Sequence, residues 1–301
     1  MAQLETTFLA DRGVVRVAGA DGLKFLQVLV TNDIDGLSAG AARHAALLSP
    51  QGKILFDFFV VDAGGGVLLL DVARAQAGAL AQRLSLYKLR AAIEIADVSR
   101  DYTVAALWGG ACAPEVVAAP GPAMVAAPDP RLPELGWRAL LTLASDSRLS
   151  AEGASPATHE DYDRRRIGLG VPEGGKDFAF GDAFPHEALF DQLHGVSFTK
   201  GCYVGQEVVA RMQHRGTPRK RIVKVEAKSA LPAAGTPVVA GAATIGTLGS
   251  VADREGLALI RIDRLAEATG KGVVVMAAGV EVVASVPPFA TFRIEPMAGE
   301  A

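Results

Sequence analysis

The chain has 301 residues, half of them hydrophobic and 21% charged, with 33 acidic against 30 basic side chains and a formal net charge of −3. Single cores stop growing near 250–300 residues, roughly, so two or three domains are expected. The near-balanced charge offers no global field for DNA or a membrane surface.

No apolar run approaches the ~20 residues of a membrane span, and Met1 to Phe25 lacks the basic start and unbroken apolar stretch of a signal peptide. The two cysteines, Cys112 and Cys202, lie far apart with no C-x-x-C or Cys/His ligand spacing. Neither a disulfide framework nor a structural zinc site is indicated, and a cytoplasmic location is expected.

Gly13 to Val17 alternates as a strand does, and Asp21 is placed to cap a helix carrying Leu23, Leu26 and Val30, ended by Thr31-Asn32-Asp33. Three apolar runs between Ala45 and Asp71 are separated by Ser49-Pro50-Gln51-Gly52 and Gly64-Gly65-Gly66, which predicts an antiparallel meander. Asp57 falls inside the middle run and Asp71 closes the last one. Both are candidates to line a polar cavity, although Asp71 is also placed to N-cap the helix starting near Ala73.

That helix, through Leu80, Leu84 and Tyr87, leads to strands at Ile93 to Val98 and Tyr102 to Leu107, an α+β pattern. Residues 109–136 are rich in alanine and proline and read as a connection between two subdomains, with Cys112 an inert thiol within it. A strand follows at Trp137 to Leu143. Thr158 with Asp161 forms a capping box for a helix bearing Arg164, Arg165 and Arg166, a cluster suited to a carboxylate or phosphate grip or to a solvated helix end. Pro185 is expected to open a further helix through Leu189, Leu193 and His194. His186-Glu187 is not a zinc-protease motif, because position 190 holds phenylalanine.

The most distinctive stretch is Lys200-Gly201-Cys202-Tyr203-Val204-Gly205-Gln206-Glu207. Val208, Val209 and Met212 then recur at helical spacing, which places Cys202 at or near a helix N-terminus. Free backbone N–H groups there, with the Lys200 charge, favour a thiolate. The competing reading is a small buried cysteine with glycines shaping a turn. On both sides of a linker at 215–218, Arg211, His214, Arg215, Arg219, Lys220 and Arg221 form the most basic stretch, suited to RNA, a folate polyglutamate tail, a protein or plain solvent. Short β-prone runs between 231 and 293, spaced by glycine and proline, predict a small all-β barrel or sandwich. The expected division is 1–215 and 216–301.

The eight-residue stretch, with Arg211 after it, resembles the signature of the YgfZ family of folate-binding proteins, relatives of the glycine cleavage T-protein. Thr31-Asn32-Asp33, Ser49-Pro50-Gln51-Gly52-Lys53 with Asp57, Tyr87-Lys88-Leu89-Arg90, Asp129-Pro130-Arg131, Gly136-Trp137-Arg138, Gly170-Val171-Pro172 and Gly246-Thr247-Leu248-Gly249-Ser250 extend it. The resemblance implies a T-protein-like (GcvT-like) ring of α+β subdomains around a central cavity, with a C-terminal β-barrel. It implies tetrahydrofolate as cofactor, and iron–sulfur enzymes, some of them tRNA-modifying, as clients.

It also makes Cys202 the functional thiol, with Lys200 beside it and Gly201, Tyr203, Gly205, Gln206, Glu207 and Arg211 in support. Asn32, Gln51, Asp57, Asp71, Arg90 and Arg166 are the folate candidates. The chain departs from T-proteins at Gly168, where they carry a pterin-contacting glutamate, so either Asp57, Asp71 or Glu173 supplies that carboxylate or folate binds weakly. An accessory factor for iron–sulfur enzymes is the first reading. An aminomethyltransferase using Asp71 to hold the amine is the second, and an RNA-binding module the third. Two cysteines cannot hold a cluster that normally takes four thiolates, so no stable metal site is expected.

Overall fold

A computed structural model of the chain describes residues 3–110, 123–145, 154–215 and 218–295. Cys112, with residues 111–122 of the expected connection, lies outside the described residues. The chain divides into two compact units, Met1–Tyr162 with Leu193–Gln206, and Asp163–Gln192 with Glu207–Ala301.

In chain order the first ten strands are β1 (Leu4–Phe8), β2 (Arg12–Ala18), β3 (Ala42–Leu48), β4 (Ile54–Asp62), β5 (Val67–Ala73), β6 (Glu94–Asp97), β7 (Tyr102–Gly109), β8 (Met124–Pro128), β9 (Trp137–Thr142) and β10 (Ser155–Pro156). The helices are α1 (Gly22–Gln27), α2 (Arg74–Tyr87), α3 (His159–Leu169), α4 (Gln206–Arg215) and α5 (Ile262–Gly270).

The first unit holds two five-stranded sheets, ordered β3-β4-β5-β2-β6 and β10-β1-β7-β9-β8. The expected meander is the start of the former, and all its neighbours are antiparallel. Residues paired across strands share a face. His44, Phe59, Asp71 and Val14 therefore form one cross-strand row.

Leu69, Val61 and Val14 on that face pack against Val104, Trp108, Val125 and Leu140 of the other sheet. The opposite face buries Val15, Phe58, Leu70 and Val72 under Phe25 and Leu26 of α1 and Ala77, Leu80 and Leu84 of α2. Strands buried on both faces read as continuous apolar runs, as β4 and β5 do.

Three local expectations change. Asp21 precedes α1 but makes no capping bond; its carboxylate accepts from the Ala92 N–H at 2.8 Å. No helix forms over 185–194, where the chain makes successive turns. Leu189 and His194 sit at φ +63° and +53°, left-handed values that end helical propagation despite the apolar spacing. Conversely α5 forms where the sequence suggested only strands, and buries Leu265, Ala266 and Ala268. The capping box at Thr158 is present: its N–H and hydroxyl donate to the Asp161 carboxylate at 3.0 and 2.7 Å, and the Asp161 N–H donates back to the hydroxyl at 3.1 Å.

In the second unit β11 (Lys220–Ala227), β12 (Pro237–Ala240), β13 (Ala243–Ala252), β14 (Glu255–Arg261), β15 (Val275–Ala277) and β16 (Val280–Ser285) close a six-stranded barrel in the order β11-β14-β13-β12-β15-β16. Val223, Val225, Val238, Leu248, Ile260 and Ala277 fill it. Closure removes the unpaired edges that short strands would otherwise expose.

Candidate functional site

The Lys200–Glu207 stretch is organised around an ammonium that serves the backbone. Lys200 is buried, and its Nζ donates to the carbonyls of Gln27, Val30 and Asn32 at 2.6, 2.7 and 2.7 Å. Those three bonds use every donor of an ammonium. The charge also faces the Tyr203 ring at 5.5 Å from its centroid. Burial lowers the Lys200 pKa to about 8, against an opposing pull from Asp33. All three donors of Lys200 therefore hold the end of the α1 segment. Burial likewise pushes the Tyr203 hydroxyl up to about 12.

Further bonds fasten the residues ahead of the cysteine. The Thr31 hydroxyl donates to Gly195 O at 2.6 Å and accepts from Ala46 N–H at 2.9 Å. The Asn32 amide donates to His44 O at 2.8 Å and His194 O at 2.6 Å. On the other side Gly205 adopts φ +81°, and a Cβ there would lie 2.5 Å from Ser49 O and 3.1 Å from Gly52 Cα. Only glycine lets this loop rest on the Ser49–Lys53 turn.

Cys202 is thus an exposed free thiol on a loop anchored before it by Lys200 and after it by Tyr203 and Gly205. Its exposure removes the reading of a small buried apolar residue. Helix α4 begins only at Gln206, so Cys202 precedes its first turn.

Asp71 is neither a helix cap nor a free carboxylate. Wholly buried in β5, it takes Arg12 Nε at 2.7 Å and lies 3.5 Å from Arg138 Nε, while the residue before α2 is Ala73. Arg131 pairs with Asp129 at 2.8 Å, and both Arg131 and Arg138 donate to the Tyr162 hydroxyl at 3.0 Å. The guanidinium carbons of Arg131, Arg138 and Arg12 sit 4.9, 5.0 and 5.9 Å from the Phe59 ring centroid. Burial would raise the Asp129 pKa, but the Arg131 charge and hydrogen bonds outweigh it and the net shift is downward. Burial, with Arg131 nearby, drives His44 down to about 3, so its ring is neutral against Phe59. A pair this deeply buried is costly to break one-sidedly.

Arg166 has the same structural role in the second unit. Wholly buried, it contacts Asp163 at 2.6 Å, Asp177 at 2.8 Å, Glu173 at 3.3 Å and the Ser250 hydroxyl at 2.7 Å. Burial works against its charge, and Asp177, Glu173 and Asp163 more than restore it, so its pKa is raised. Gly249 leaves room for this arrangement, since a Cβ there would meet Asp177 Oδ1 at 2.5 Å. A Cβ at Gly168 would lie 3.6 Å from Glu255 Oε2. Arg211 makes an exposed pair with Glu207 at 2.7 Å. Arg221 leaves the basic surface stretch altogether, buried against Asp191 at 2.6 Å and stacked 4.9 Å from Phe292.

Of the folate candidates, Gln51 lies exposed in the β3–β4 turn and Arg90 exposed after α2. Asn32, Asp71 and Arg166 are committed to the bonds above, and Asp57 sits half-buried in β4 opposite Ala46. Sequence reasoning missed Arg12, which carries no motif at all. It had Arg131 and Arg138 only as parts of other patterns, and did not single out Tyr162.

Two family models match the chain: the GCVT N-terminal domain over residues 9–121 and the CAF17 C-terminal beta-barrel domain over residues 219–292. The mitochondrial iron–sulfur cluster assembly factor IBA57 of Mus musculus is 34% identical over 287 residues, covering 86% of this chain and 78% of that protein. The chain belongs to the IBA57 family of iron–sulfur cluster assembly factors. IBA57 of Homo sapiens is also 34% identical, covering 85% and 77% of the two chains. The IBA57 homolog of Mycosarcoma maydis is 38% identical over 224 residues; there the match covers 70% of this chain and 54%, about half, of the relative.

In structure, the glycine cleavage aminomethyltransferase T of Bartonella henselae superposes with a TM-score of 0.77 over 96% of this chain and 87% of that one, at 16% identity. That likeness establishes a T-protein-like α+β fold with a C-terminal barrel. The YgfZ resemblance is correct at the level of fold and iron–sulfur assembly, but the relatives here are IBA57 proteins. The expected cytoplasmic location is overturned by them, since all three are named as mitochondrial.

Proposed function

We propose that this chain works in iron–sulfur cluster assembly by presenting Cys202 as one thiolate ligand to a cluster shared with a second protein. The observation that carries the reading is the exposed Cys202 on a loop anchored through Lys200, Tyr203 and Gly205. A cluster is normally held by four protein ligands, and this chain has two cysteines. Among the described residues no group of three or more His, Cys, Asp or Glu is placed to hold a metal ion. The remaining ligands then come from the partner, and the cluster is cargo. Clients that include tRNA-modifying enzymes are part of the same proposal and rest on the YgfZ resemblance.

The test is anaerobic cluster reconstitution with iron and sulfide, on this chain mixed with a thiolate-rich scaffold protein of the assembly machinery. A visible charge-transfer spectrum and a co-eluting complex that vanish in Cys202→Ser are expected. Equal cluster uptake by Cys202→Ser would sink the reading. A tetrahydrofolate titration of the wild type and of Cys202→Ser separates a folate role from the thiol's. Aminomethyl transfer is disfavoured because the Asp71 carboxylate it would use is held by Arg12.

A further inference from the structure

The first unit contains a cleft of about 740 Å³ that lies outside the thiol chemistry and takes only Asn32 from the folate candidates. Its volume lies within the ~300–1,000 Å³ of small-molecule sites. One wall is the Gly40–Arg43 approach to β3, a second is Pro128 and Pro130, and the third is His194 with the Val196–Thr199 segment. We propose that this cleft binds a small amphiphilic anion, a single carboxylate or phosphate on a compact apolar body.

The charge balance of the lining argues for the anion. Arg43 and His194 line the cleft, and no Asp or Glu does. Among the described residues, Arg43 has one hydrogen bond, Nη1 to Ala42 O at 3.2 Å, and no ion pair. The carboxylates nearest in sequence are occupied elsewhere. Asp129, between the two prolines, is buried on Arg131. Asp33 accepts from Gln27 at 2.8 Å and from Asp35 N–H at 3.0 Å, although the Arg43 charge helps to lower its pKa after those bonds have done most of it. An arginine fork with open donors is suited to a carboxylate or phosphate.

The remaining surface argues for the apolar body. Ala41, Ala42, Pro128, Pro130, Val196 and Phe198 supply it, with Phe198 43% exposed. Ser197 and Thr199 add hydroxyls at the rim, while the Asn32 amide is already satisfied by two carbonyls and acts as a fixed floor. His194 sits in the turn at φ +53°. The inference does not rest on the assembly role.

The probes are benzoate, phenyl phosphate, inorganic phosphate and the neutral benzyl alcohol, titrated into the full chain and followed by amide shifts in two-dimensional NMR. Saturable shifts at Ala41, Ser197, Phe198 and Thr199 are expected with benzoate or phenyl phosphate. Inorganic phosphate and benzyl alcohol, each lacking one half of the ligand, are expected to bind about tenfold more weakly, about 1.4 kcal/mol. Arg43→Gln, an exposed site, should weaken benzoate about tenfold while leaving the thermal midpoint unchanged. His194→Asn, which tolerates the left-handed backbone, should weaken it to a lesser extent. Unchanged benzoate affinity in Arg43→Gln, equal affinity for benzyl alcohol, or shifts confined to other parts of the chain would each overturn the proposal. The preference between benzoate and phenyl phosphate distinguishes carboxylate from phosphate ester.

Discussion

Lys200 donates to the Asn32 carbonyl at 2.7 Å, joining the cysteine loop to the segment that follows α1 across 168 residues of sequence. With the bonds to Gln27 and Val30, this ammonium holds three carbonyls, one at the last residue of α1 and two in the segment after it. Lys200→Met removes all three donors, at about 1–3 kcal/mol for each buried acceptor left bare, partly offset by relief of a buried charge. A fall in the thermal midpoint of roughly 5–10 °C is expected by calorimetry. Lys200→Arg should not rescue it, because a planar fork cannot converge on three carbonyls. A wild-type midpoint in Lys200→Met would return the lysine to a purely chemical role.

Cys202 behaves oppositely. It is exposed, and surface substitutions generally stay within about 0.5 kcal/mol. Cys202→Ser should therefore keep wild-type stability in urea while losing joint cluster binding with a scaffold protein. Coupled loss of fold and function would mean that the side chain, not its thiol chemistry, is what the loop needs.

Gly205 tests the loop's footing. A Cβ at φ +81° that meets Ser49 O at 2.5 Å has no flexible neighbour to move. Gly205→Ala is expected to cost about 2 kcal/mol or more and to slow cluster uptake, measured by denaturation and by reconstitution rate. Unaltered stability would show that the Ser49–Lys53 turn gives way freely.

The parts of this protein legible in its sequence are those with local causes. Alternation and turn glycines marked the β3–β5 meander, short β-prone runs marked the barrel, and Thr158 with Asp161 marked the start of α3. The cysteine motif located the exposed thiol. What failed depended on distant partners. Asp71 has the composition of a cap, and only the fold brings it Arg12 from 59 residues away. The three carbonyls that Lys200 holds were invisible for the same reason, each being about 170 residues away in the chain. The 185–194 helix failed because apolar spacing carries no record of the left-handed Leu189 and His194.

Arg166 offers a test in the second unit. It shares Asp163 and Glu173 with Lys176 but is, among the described residues, the one cation paired with the buried Asp177, so Arg166→Met leaves that carboxylate uncompensated. A loss of about 3–5 kcal/mol is expected in urea denaturation, since breaking one side of a buried ion pair strands the other. Asp177→Asn alone should cost less, because Asp163 and Glu173 remain. If Arg166→Met were neutral, the residue would be free for the ligand grip that its cluster first suggested.

His44 sets part of the acid limit of the first unit. Burial holds its folded pKa at about 3, against the ordinary value of 6.5 in the unfolded chain. Between those values the unfolded state binds a proton that the folded state refuses, so stability rises with pH there. The contribution is fully present above 6.5 and is lost as pH falls towards 3, at up to about 1.4 kcal/mol per pH unit. Asp129 and Asp33, both held below the usual carboxylate range, act at the acid end of this window and beneath it. His44→Gln removes the imidazole term while keeping a donor for Leu193 O, which lies 3.3 Å from Nδ1. The variant is expected to start less stable at pH 7 and to close on the wild type as pH falls from 6.5 to 4, because only the wild type has a histidine to protonate on unfolding. Parallel stability curves over that range, measured by urea midpoints, would mean that His44 takes up its proton in the folded state.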